Sequence, residues 1–196
     1  MSNIRLLFDE PEAQAIAEAR RLTGLVSNET QAVVSRVSID ARRGRIFRVY
    51  SVRLDAPVDE KAFAEHLQMP FVRYQDDARP AIPRGTKRLE HRPLVDGLGP
   101  PGLFADYTLA KHGYAPLVLE RGGDLDARDR AVEAFWSGGA LDPETNIQFG
   151  EGGAGAYSDG KLTTRISDPL CSAVLDTLAA HGAPDDIVKK AKPHVG

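Results

Sequence analysis

Three glycines, Gly97, Gly99 and Gly102, fall at the spacing G-x-G-x-x-G within LVDGLGPPG (94–102). Residues without a β-carbon at that spacing suit a loop whose backbone turns tightly and comes close to a dinucleotide pyrophosphate. In such a loop Gly97 permits the turn, Gly99 lets the backbone approach the phosphates, and Gly102 lets the next helix lie close to the preceding strand. Pro101 suits the first turn of that helix, where a proline gives up an N–H that would have no intrahelical partner, and Pro100 can sit just outside it. An acid, Glu120, follows about 20 residues on, where a carboxylate accepts hydrogen bonds from ribose hydroxyls. The plainer alternative is a turn that is only rich in glycine.

A second stretch, NIQFGEGGAGAYSDGKLTTR (146–165), holds Gly150, Gly152, Gly153, Gly155 and Gly160. Their amides have close access to a ligand, and Ser158, Lys161 and Thr163 add donors. Lys161 and Arg165 meet either phosphate or solvent. The alternative reading of this stretch is a flexible surface loop.

Other chemistry finds less support. His66, His91, His112, His181 and His194 are scattered and show no metal-ligand spacing. Asp124 and Asp126 read as a helix start rather than as metal ligands. Cys171 sits in LCSAVLDTLAAHG (170–182) on a stripe with Val174, Leu175 and Leu178, which reads as core rather than as a redox centre. No Ser–His–Asp set and no acid–base carboxylate pair can be assembled, so no catalytic residue is assigned. A cofactor-dependent reaction would need no such set, since the cofactor carries the chemistry and the protein places it.

The elements that must position the loops follow from hydropathy and turn chemistry. IRLLF (4–8) reads as a strand, and DEPEAQAIAEARRL (9–22) as a helix capped by Asp9, with Ala13, Ile16 and Ala17 inward. AVVSRVSID (32–40) and RIFRVYSVRL (45–54) form a hairpin through ARRG; a helix over 57–67 and a strand over 70–75 close a βαββαβ order. The fold expectation for 1–75 is therefore a ferredoxin-like α/β domain. Residues 76–92, polar and broken by Pro80, Pro83 and Gly85, read as a linker. Beyond it PLV (93–95), the glycine loop, a helix over 101–113 and APLVLE (115–120) give strand, loop, helix and parallel strand. DLDARDRAVEAFW (124–136) reads as a surface helix with Val132, Phe135 and Trp136 inward.

The chain of 196 residues is 42% hydrophobic and 27% charged, with a formal net charge of -3. That is the composition of a globular protein, and it opposes a general nucleic-acid surface. One cysteine fits a reducing compartment, the N-terminus does not read as a signal peptide, and no apolar run is long enough to span a bilayer. The expectation is a cytoplasmic protein with no nucleic-acid or membrane partner.

GLGPPGLFADYTLAKHGYAPLVLERG, AFWSGGALDPETNIQFGEGGAGAYSDGKLTTR and AKPHVG closely resemble a group of bacterial FAD-dependent dehydrogenases. SIDARRG (38–44) resembles their N-terminal segment; the resemblance is strong over 93–196 and weaker before. It implies α/β architecture: a small N-terminal α/β domain, then the first, incomplete part of a Rossmann-type FAD/NAD(P)-binding domain over 93–196. It implies FAD as cofactor and hydride transfer through flavin, with the substrate unknown. It places Gly97, Gly99, Pro100, Gly102 and Glu120 at the adenosine diphosphate, Arg121 beside the ribose, and Gly152, Gly153, Gly155, Ser158 and Lys161 near pyrophosphate and flavin. Members of the group are typically more than twice as long, so NAD(P)H or a small substrate would meet a part beyond this chain. Asp96 replaces an apolar strand residue and would oppose phosphate unless it turns away. Pro101 replaces alanine and removes one amide. These departures leave a second expectation: a truncated, non-catalytic nucleotide-binding remnant or binding module. The glycine loop alone also admits NAD; NADP is disfavoured because Glu120 repels a 2′-phosphate.

Overall fold

The computed structural model describes residues 1–76, 79, 81–83, 85–166 and 168–195. Residues 77, 78, 80 and 84 of the expected linker, and Gly196, lie outside the described residues. The architecture is mixed α/β, with a small antiparallel sheet and a two-stranded parallel sheet. The chain divides into two units: Met1–Ala81 with Lys161–Val195, and Ile82–Gly160.

The first unit carries β1 (Ile4–Leu7), α1 (Ala13–Thr23), β2 (Gln31–Asp40), β3 (Phe47–Asp55) and α2 (Glu60–Leu67). The strand order is β1-β3-β2, with β3 antiparallel to both neighbours, so β1 and β2 run parallel on either side of it. Ile4, Leu6, Tyr50 and Val52 are buried with Ala15 and Ala19 of α1. Small side chains at i and i+4 let the helix settle on the sheet. The inward face is therefore Ala15 and Ala19 rather than Ala13 and Ala17, because the helix begins beyond Pro11. Asp9 is not the cap: Glu12 holds that position without a side-chain hydrogen bond.

Residues 70–75 form no strand. Asn3 takes a left-handed φ of 63°, and Met1, not Ser2, meets Val52 through a reciprocal pair of bonds. The extra residue interrupts the extended backbone where a fourth strand would dock. What remains of that pairing is the Ser2 N–H and hydroxyl donating to Phe71 O.

The opposite edge is covered by a segment that the sequence grouped with the second domain. Val37 N–H donates to Lys189 O at 2.7 Å, and Ala191 N–H donates to Val37 O at 2.9 Å. Ile187 is fully buried, and Lys189 pairs with Glu12. An edge strand left bare is a hazard, and this short pairing covers it. The first unit also carries a helix over Leu170–Ala180, whose Cys171, Val174, Leu175 and Leu178 are half-buried rather than core.

The second unit holds β4 (Leu94–Asp96), α3 (Pro100–Lys111), β5 (Leu117–Leu119) and α4 (Leu125–Trp136). β4 and β5 pair in parallel, Leu94 opposite Leu117 and Asp96 opposite Leu119. Alternation sends Val95 and Val118 to the α3 side and the three leucines to the other face. Arg92 fastens the strand starts by donating to Ala115 O and Pro116 O. In α4, Arg128 and Val132 are buried one turn apart, whereas Phe135 and Trp136, expected inward, are exposed. The helix packs at Arg128 against the backbone of 146–151, and its last turn runs past that cover. Among the described residues no helix is long and apolar enough to cross a membrane.

Candidate functional site

The site begins where β4 ends. Gly97 takes φ 89°, a conformation that side chains disfavour, and its N–H donates to Leu119 O of the neighbouring strand. The chain then turns into α3, with Gly99 at the N-cap and prolines in the first turn. A β-carbon on Gly102 would lie 1.9 Å from Gly97 O, so only glycine allows the helix this close to the strand. Gly99 is different. A β-carbon there would meet nothing nearer than Gly153 Cα at 3.9 Å, so packing within the chain does not demand glycine at that position.

Glu120, at the tip of β5, draws three loops together. Its Oε2 accepts from Leu98 N–H at 2.6 Å, and its Oε1 accepts from the N–H groups of Gly122 and Gly150, each at 3.0 Å. These amides, Gly122 first, hold the carboxyl below its usual range against the opposing effect of burial. A carboxylate offers about four acceptor positions, and backbone amides take up most of them. Asp96 is exposed on β4 and does not enter this cluster.

The second glycine loop lies against the first. Gly152 N–H donates to Leu98 O at 2.9 Å, and a β-carbon on Gly153 would come within 3.0 Å of Gly99 Cα and 3.1 Å of Pro100 Cδ. Gly155 has open space around its Cα. Ser158 is turned to local work: its hydroxyl donates to Gly155 O and accepts from Gly160 N–H. Arg121 forms a two-pronged pair with Glu144 and stacks on Phe149 at 4.4 Å. Lys161 belongs to the first unit, where it bridges to His194. The structure thus gathers Gly97, Gly99, Pro100, Gly102, Glu120, Gly152 and Gly153; Arg121, Ser158 and Lys161 are engaged elsewhere.

Two residues of this cluster escaped the sequence reading. A β-carbon on Gly122 would collide with Gly150 N and Cα, both at 2.6 Å, so Gly122 makes room for the second loop. Arg128, buried completely, donates to the carbonyls of Asn146, Ile147 and Glu151. The signal for Gly122 was its place directly after Glu120 and Arg121. Arg128 gave only the i, i+4 spacing to Val132. Among the described residues no three His, Cys, Asp or Glu side chains gather as a metal site would require.

No family model matches the chain. Over 161 residues, 81% of the chain, it is 47% identical to an uncharacterized protein of Clostridium beijerinckii. That match covers 30% of the clostridial protein, so the chain spans less than a third of the relative's length.

Proposed function

We propose that the second unit binds the adenosine diphosphate part of FAD and serves an FAD-dependent oxidoreductase. The observation that supports it most is Glu120, a carboxylate at a strand tip that holds the amides of both glycine loops beside the mouth of α3. The residues present fit such a group. Gly99 and Gly155 are free of any packing demand for glycine, which leaves backbone open to a ligand; Gly102 and Gly122 set the close approaches that shape the cradle. The start of α3 contributes a partial positive charge, though Pro100 and Pro101 remove two amides from it. Each missing charge-assisted bond weakens phosphate binding by about 1.5–3 kcal/mol, roughly ten- to a hundredfold. FAD, when bound, supplies the hydride chemistry, and the chain's own residues orient the nucleotide end.

In fold terms, the β1-β3-β2 order supports a ferredoxin-like unit lacking its fourth strand, and β4-α3-β5 supports the opening of a Rossmann-type domain. A second reading is a binding module without catalysis. Pro100, Pro101 and the approach of Gly153 to Gly99 favour it. Titration of the purified chain with FAD and with ADP, followed by calorimetry and flavin fluorescence, tests both. Binding of both ligands, weakened at least tenfold in Glu120→Ala, is the expected result. Binding without any flavin reduction by NADH or NADPH in the longer relative would favour the module. No binding by wild type at millimolar ligand would end the nucleotide reading.

A further inference from the structure

We infer that Arg128 is a positioning residue for this site, a buried fork that sets the second glycine loop on Glu120. The role rests on the nucleotide reading for its functional meaning, but its geometry stands by itself. Arg128 is 0% exposed and has no carboxylate partner in its bonds; Nε, Nη1 and Nη2 donate to Asn146 O at 2.9 Å, Glu151 O at 2.7 Å and Ile147 O at 2.8 Å. A guanidinium buried this deeply is tolerable only where its fixed fork of N–H groups is satisfied. Here one planar group gathers three carbonyls of a single loop and so dictates that loop's path.

The loop is shaped in return to receive the arginine. Gly150 takes φ 125°, and a β-carbon there would lie 2.6 Å from Arg128 Cδ. Tyr157, later in the same loop, places its ring 4.7 Å from the guanidinium carbon and donates its hydroxyl to Asp129 on α4. The output of this arrangement is two amides. Gly150 N–H reaches Glu120 Oε1, and Gly152 N–H reaches Leu98 O in the first glycine loop. Arg128 therefore acts through backbone on the carboxylate and on the G-x-G turn without touching either. The other charged groups beside Glu120 are accounted for: Arg121 is held by Glu144, and the remaining partners of the carboxylate are amides.

Lysine keeps the charge but cannot span three carbonyls in one plane. The test compares wild type, Arg128→Lys and Gly150→Ala by ADP calorimetry and by carbon-13 NMR titration of the Glu120 carboxyl. In Arg128→Lys, folded by circular dichroism, ADP affinity is expected to fall at least tenfold and Glu120 to titrate at higher pH than in wild type. Gly150→Ala presses on the arginine from the loop side and should reproduce both changes with the guanidinium intact; it carries the test if the lysine variant fails to fold. Unchanged Glu120 titration in a folded variant would overturn the role, whatever happens to affinity. Failure of wild type to bind ADP would instead sink the nucleotide reading, with the NMR shift still deciding the function of Arg128.

Discussion

At the scale of single residues, the glycines of the two loops separate into those that packing requires and those it leaves open. Gly102→Ala drives a β-carbon to 1.9 Å from Gly97 O. The strand–helix contact must then open, at a cost of about 1–3 kcal/mol or more. Gly155→Ala meets open space and should change stability by no more than about 0.5 kcal/mol. Urea unfolding of the two variants should rank them in that order; equal losses would show that the tight approach at Gly102 is not what holds β4 to α3. Glu120 adds a pH signature. Its carboxyl is held low by amides in the folded chain, so its contribution is present above the ordinary carboxyl range and is lost as pH falls through the lowered value. Wild type should exceed Glu120→Gln in stability most near pH 7, with the difference shrinking as pH falls below the ordinary carboxyl range. A difference that grows on acidification would contradict the bonding described.

At the scale of elements, two edges behave in opposite ways. The outer edge of β2 is capped by residues 187–191, with Ile187 buried beneath them. Ile187→Ala should cost about 2–5 kcal/mol, read by chemical denaturation, if this cap belongs to the cooperative unit. A loss within error of zero would mean that the segment docks without sharing in the core. Among the described residues the β4–β5 pair has no such cover on one side. Leu94, Leu117 and Leu119 share that face and are 61%, 46% and 48% exposed. Parallel strands are ordinarily buried on both faces, and two strands alone are marginal. Replacing Leu94 and Leu117 by lysine should therefore change stability by no more than about 0.5 kcal/mol in urea unfolding, and a larger loss would show that this face is covered. In the connection between β2 and β3 Asp40 pairs with Arg42, and it also takes Arg5 of β1.

At the scale of the whole molecule, the first unit is discontinuous in sequence. Met1–Ala81 and Lys161–Val195 are joined through Val37, Lys189 and Ala191 and through the Arg79–Asp176 pair. The stretch 85–92 contains no helix or strand and is mostly exposed. A protease that cuts there should leave two fragments that elute together under native conditions and separate in denaturant. Separation without denaturant would show that the returning segment does not hold. The clostridial relative extends well beyond the matched residues.

The sequence by itself determined the elements whose cause is local. Gly97, Pro101 and Asp124 marked a turn and two helix starts because φ preference, a missing N–H and a short acceptor act within a few residues. The short apolar runs at 93–95 and 115–120 marked β4 and β5. The tertiary structure decided what depends on partners distant in the chain. The missing strand at 70–75 turned on an extra residue at Asn3; the place of 161–195 turned on an open edge at Val37; the inward face of α4 turned on three carbonyls that Arg128 could reach. Glu120 was legible as an acid at a strand tip, but its three amides come from residues 2, 22 and 30 positions away, and only folding brings them to one carboxylate.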